Sequence, residues 1–180
     1  MADSGDNTGG AAPQGAAAAG GQAQSGPSIN VLGQYIKDLS FENPKAPESF
    51  NVQKEKSPPL NVSVNVSARQ SGENNVEVEL RLDAKAGDDN IVLFNIELVY
   101  AGLFQIRNVP QEQLHPFILI ECPRLLFPFA RQVIAETVAS GGFPPLMLDP
   151  IDFAALYRQR MQHQAAQADP SQQQSPGQPN

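Results

Sequence analysis

The sequence predicts an α+β fold, strands first and helices second, built on a four-stranded antiparallel sheet with a crossover connection. Two periodicities carry the prediction. Residues 60–68 alternate apolar and polar at every step, residues 76–84 repeat the pattern, and in a third run Val92, Phe94, Ile96, Leu98 and Tyr100 oppose Asn95 and Glu97. A period of two puts each apolar set on one face of a strand. Beyond residue 110 the period becomes helical, with Leu126, Phe127, Ala130, Val133, Ile134, Thr137 and Val138 on one stripe.

Taken in order, the first element is a short strand over residues 35–42, with Leu39 and Phe41 on one face and Asp38, Ser40 and Glu42 on the other. Pro44, Pro47, Pro58 and Pro59 follow, a connection too long for a hairpin, hence the crossover. Gly72, Asn74 and Asn75 supply turn chemistry between the second and third strands, and Gly87, Asp88, Asp89 and Asn90 supply it before the fourth. Pro110 fits the first turn of a helix carrying Leu114, Phe117, Ile118 and Ile120, which Pro116 should kink or shorten. Cys122 and Pro123 read as a second helix start, with Pro128 at a cost inside it and Gly141 and Gly142 as its end. Asp152 is placed to cap a last helix bearing Phe153, Leu156, Tyr157 and Met161 on one side.

Composition bounds the rest. Of 180 residues, 1–28 are mostly Ala, Gly, Ser, Gln and Asn, and 162–180 are rich in Gln and Pro; both segments lack an apolar face and read as disordered tails around a core of residues 29–161. One Cys and two His give no internal disulfide and no Cys/His zinc site, and no cofactor or metal is expected. A net charge of −7 without a Lys/Arg cluster opposes nucleic-acid binding. Neither a long apolar run nor a secretory leader is present, so a soluble cytoplasmic protein without stable membrane insertion is expected.

No catalytic residues are assigned. The one local nucleophile and base pair, Cys122 with His115, lies seven residues apart with each followed by a proline, and a buried apolar Cys is the plainer reading. The polar sheet face collects Asp38, Glu42, Glu77, Glu79, Asp83 and Glu97 against Lys37, Arg81 and Lys85. That face suits a basic partner, although an ordinary solvated face has the same composition. The apolar face has few helices to cover it, which makes oligomerisation plausible. Phe50, Val52 and Leu60, near the crossover, either line a groove or anchor the core.

Three ordered segments resemble the SecB protein-export chaperone family: Tyr35 to Glu42 followed by Asn43, Pro44, Lys45, Ala46 and Pro47; Cys122 to Arg131 with both prolines in place; and Gly142 to Leu146 with Pro150 to Leu156. The resemblance implies a long helix and a shorter C-terminal one, a homotetramer built as a dimer of dimers, and no catalysis. It implies a chaperone that keeps unfolded precursor proteins translocation-competent and passes them to the SecA ATPase. It places SecA docking on Asp38, Glu42 and Glu97, with a contribution near Tyr157, and a client groove near Phe50, Val52, Phe94 and Phe127. A SecB-like chaperone of a toxin–antitoxin system and a carrier of a small apolar ligand are the alternatives.

Overall fold

The computed structural model describes residues 26–49, 59–87 and 92–168, and in it the alternating segments become four antiparallel strands. They are β1 (Ser28–Glu42), β2 (Leu60–Gln70), β3 (Asn75–Gly87) and β4 (Val92–Arg107). Their spatial order is β1-β4-β3-β2, so β2, β3 and β4 form the expected meander and the chain crosses over between β1 and β2. Gly72, at φ 93°, turns the chain between β2 and β3 in a backbone region that side chains rarely adopt. Asp88 and Asp89 lie outside the described residues.

β1 is longer than its alternation predicts. It pairs with β4 from Ser28↔Arg107 to Glu42↔Asn95, with register shifts between Val31 and Gly33 and between Ile36 and Asp38. Each shift adds a residue that breaks the period of two, so the pattern is lost upstream of Tyr35 while the backbone pairing continues.

The helical layer departs from the sequence reading more instructively. In place of an interrupted helix and a second start at Cys122 and Pro123, one helix, α1 (Gln111–Ser140), runs 30 residues through Pro116, Pro123 and Pro128. That is roughly 45 Å of helix. A proline inside a helix removes an i→i−4 bond and costs about 3 kcal/mol. The cost is offset by burial, because Leu119, Cys122, Leu126, Phe127, Ala130, Ile134 and Val138 all pack into the core, and Pro123 itself is fully buried. Large apolar side chains contribute about 1.5–3 kcal/mol each on burial.

Both predicted helix boundaries near the C-terminal end hold. The Gly142 amide donates to the Ala139 carbonyl at 3.0 Å and the Phe143 amide to the Val138 carbonyl at 3.3 Å, with Gly142 at φ 87°. This is a Schellman ending, and its apolar partners Val138 and Phe143 are both buried. Asp152 caps α2 (Phe153–Ala168): its Oδ1 accepts the Ala155 amide at 3.0 Å, and that bond holds the carboxyl below its ordinary pKa. α2 continues past Met161, where the sequence pattern ends, to Ala168.

Two layers result, α1 over one face of the sheet. Val78, Leu80, Leu82, Ile96, Leu98 and Phe104 form the sheet side of the core. The closest approach is at Gly102 of β4, where a Cβ would stand 2.7 Å from Leu126 Cδ2 on α1 and 2.7 Å from the Phe104 ring. At the other end a Cβ on Gly141 would run into the ring of Phe41 on β1. Gly102→Val should therefore lower stability by about 1–3 kcal/mol in urea titration through overpacking. Gly33→Ala, whose Cβ meets open space, should stay within about 0.5 kcal/mol of the parent.

Candidate functional site

Pairing fixes which residues share each face of the sheet. Opposite the helices, β1 contributes Asp38, Ser40 and Glu42, β4 contributes Asn95 and Glu97, and β3 contributes Glu77, Glu79, Arg81, Asp83 and Lys85. Ser40 faces Glu97 across the β1 and β4 ladder, with Asp38 two residues before it and Glu42 two after. The three carboxylates singled out in the sequence are thereby brought around one point, because residues two apart on a strand share a face.

The acids of this face differ in their surroundings. Glu77 is only 4% exposed, and it is held by Arg69, by the Tyr35 hydroxyl and by Lys37 Nζ at 3.1 Å. Those bonds, Arg69 first and Tyr35 second, lower its pKa from 4.5 to about 2. Donating its hydrogen bond to Glu77 pushes the Tyr35 hydroxyl up, and bonds to Glu79 and Glu77 push the Lys37 ammonium up. Asp83 accepts from the Ser63 hydroxyl at 2.9 Å, and Glu97 meets Arg81 only at 3.9 Å, each about half exposed. Asp38 and Glu42 are exposed and have no ion-pair partner among the described residues. The net negative charge is therefore concentrated at the Asp38, Glu42 and Glu97 end.

On the opposite face, the edge strand β2 turns Leu60, Val62, Val64 and Val66 toward the helices, paired through Ala86, Ala84, Leu82 and Leu80. Val66 is buried under α2, whereas Val62 and Leu60 are each 43% exposed. An apolar track thus emerges along the edge. It opens from a groove of about 360 Å³ between β2 and α2, lined by Val64, Val66, Leu119, Phe153, Leu156 and Tyr157. Arg160, also at the groove, donates to the Val66 carbonyl at 2.6 Å and so fixes α2 against the strand.

The residues expected at a groove are placed as follows. Phe127 is buried with its ring 6.0 Å from that of Phe153, in the groove wall. Phe94 is buried in a separate aromatic cluster, 4.9 Å from Phe143 and 6.0 Å from Phe41, in the row of Leu60 and Ala86, four residue pairs along the sheet from the row of Val64 and Leu82. Phe50 and Val52 lie outside the described residues. The sequence reading missed the inward faces of Val64 and Leu156 as groove walls, although the β2 alternation and the α2 stripe contain both.

Cys122 and His115 do not form a catalytic pair. The thiol is fully buried and burial pushes it up to about 12, while His115 Nδ1 is 3.1 Å from the Tyr157 hydroxyl. Among the described residues no group of three or more His, Cys, Asp or Glu could hold a metal ion, and no helix is long and apolar enough to cross a membrane.

A single sheet with one charged face and an apolar groove on the other finds its counterpart among known proteins. The family described as preprotein translocase subunit SecB matches residues 22–164. The chain belongs to the SecB family. Protein-export protein SecB of Rhodopseudomonas palustris (strain BisB5) is 58% identical over 150 residues, covering 83% of this chain and 94% of that one. Its counterpart from Methylocella silvestris is 57% identical over 147 residues, covering 82% and 91%. The SecB-like chaperone of Mycobacterium tuberculosis, solved with a peptide from an antitoxin, superposes with a TM-score of 0.52 at 12% identity over 68% of this chain and 90% of that one, which shows the shared fold. Membership of the SecB family makes the protein a chaperone of protein export.

The Glu77 cluster predicts a pH dependence. A carboxyl whose pKa is lower folded than unfolded adds stability above its unfolded value, near 4.5, and loses it as pH falls toward about 2. Allowing for screening by the exposed Arg69, the loss should be about 1–2 kcal/mol. Glu77→Gln should remove that part of the slope in urea titrations between those pH values and leave the slope above pH 5 unchanged.

Proposed function

We propose that this SecB-family protein holds unfolded precursor proteins in a translocation-competent state and delivers them to the SecA motor ATPase. The observation that carries the reading is the separation of two surfaces on opposite faces of one sheet. The apolar track of β2 and the groove under α2 suit exposed apolar segments of an unfolded chain, and the carboxylates around Ser40 suit a basic surface. Client and motor can then be bound at once, as a handover requires.

The proposed assembly is a homotetramer arranged as a dimer of dimers. Its support is apolar surface that one chain leaves open: Val31, Ile36 and Leu39 on the helix side of β1, and Leu125 and Phe129 one turn apart on α1, each between 37% and 49% exposed. Several grooves on one particle give avidity for a long client while each contact remains weak enough to release. The proposed place of action is the cytoplasm, where precursors are met before export. We place Phe127 behind the groove through Phe153, and Phe94 apart from the groove, in the row of Leu60 at the far end of the apolar track. The antitoxin-chaperone alternative has a fold likeness at 12% identity behind it, against export relatives above half identity.

Asp38→Lys combined with Glu42→Lys should weaken SecA binding by about tenfold or more, with the difference shrinking as salt rises, and should leave binding of an unfolded precursor unchanged. The two affinities, measured on one preparation by titration calorimetry, decide it: equal loss of both contradicts the two-surface reading.

A further inference from the structure

One cation stands beside the carboxylates of the charged face. The register shift between Ile36 and Asp38 leaves Lys37 as an extra residue of β1 that no residue of β4 opposes. Such a bulge breaks the alternation, so Lys37 and Asp38, although consecutive, both lie on the outer face. An ammonium left to itself there would sit one residue from Asp38 and neutralise it. Instead Lys37 Nζ donates to Glu79 and, at 3.1 Å, to Glu77, both on β3. To reach them the side chain crosses β4 at Val99 and Ala101, which are buried although they belong to the outer face. A lysine stem lies readily on such an apolar floor while its ammonium stays with a carboxylate.

The two carboxylates hold Lys37 unequally. Glu77 is shared with Arg69 and Tyr35, whereas Lys37 is the one ion-pair partner of Glu79 among the described residues. Glu77 and Glu79 balance Lys37 and Arg69, so the cluster adds no net charge to the face. We propose that Glu79 is a positioning residue for the docking carboxylates: by holding the Lys37 ammonium across β4, it keeps Asp38 unpaired and open to a basic partner. The inference rests on the reading of Asp38, Glu42 and Glu97 as the docking point, and Glu79 acts there through Lys37 without touching the partner. Strands lie about 4.8 Å apart, so β1 and β3 are about 10 Å apart, a gap that a lysine and a glutamate close by meeting between them. Without the Glu79 carboxylate, Glu77 alone must hold Lys37 against two competing donors, and Asp38 is the acid next to it in the chain.

The test measures SecA affinity by titration calorimetry on the full chain, on Glu79→Gln, and on Glu79→Gln joined either to Lys37→Gln or to Ser67→Glu. Ser67 pairs with Glu79, so Ser67→Glu restores the charge of the face on β2, about 14 Å from β1 and beyond the reach of Lys37. Glu79→Gln should weaken SecA binding about fivefold, the factor of one exposed ion pair. Adding Lys37→Gln should return it to within about twofold of the parent, whereas adding Ser67→Glu should leave it weak. Binding of an unfolded precursor should be the same in all four proteins. Unchanged SecA binding in Glu79→Gln overturns the inference, and so does equal rescue by the two second substitutions, which would make net charge the whole effect. If Asp38→Lys with Glu42→Lys leaves SecA binding intact, the docking reading itself fails, and the inference with it.

Discussion

The architecture depends on how closely α1 can lie on the sheet. Gly102 lets Leu126 and the Phe104 ring close over β4, and Gly141 lets the helix end against Phe41 of β1. Dense contact along this seam keeps one helix continuous through three prolines and buries Cys122, Leu126 and Ile134 completely. A single long helix covers β3 and β4 and leaves both edges of the apolar face partly open. At β2 the opening becomes a track beside α2, and at β1 it becomes the uncovered Val31, Ile36 and Leu39. The proposed client holding and the proposed self-association draw on the same shortage of cover at opposite edges.

The other face is organised by neutralisation. Tyr35, Lys37 and Arg69 converge from β1 and β2 on Glu77 of β3, tying together strands that are not neighbours in the sheet. With Glu77 and Glu79 compensated, the charge that remains for a partner is at Asp38, Glu42 and Glu97. Carboxylates gathered at one end of a strand pair, Asp38 and Glu42 without an ion-pair partner among the described residues and Glu97 with only the longer Arg81 contact, give direction to an electrostatic encounter that an evenly acidic face would not.

Much of this is legible in the sequence where a short period or a local cap carries the information. The strands β2 to β4 follow from alternation, and Asp152 and Gly142 follow from cap chemistry that acts within four residues. The N-terminal half of β1 does not, because its two register shifts erase the period while β4 supplies the hydrogen bonds. Pro116, Pro123 and Pro128 argue for helix breaks by local rules, and only burial against the sheet overrides them. At the candidate site, the face of Asp38, Glu42 and Glu97 is legible, and their convergence needs the β1 and β4 pairing that the crossover creates. The burial of Glu77 depends on partners 8 and 42 residues away. Phe94 and Phe127 attract attention by size, yet size is what buries them, and the smaller Val64 and Leu156 line the groove.

The central claim is that this chain recognises the unfolded state through apolar surface repeated on one particle. Its most direct test is binding of one fluorescently labelled secretory precursor, presented denatured and folded, with the mass of the complex read by light scattering. Tight binding of the denatured form alone, to a particle of four chains, is the predicted result. Equal binding of the folded form, or no binding of the denatured form to any assembly, would contradict the account.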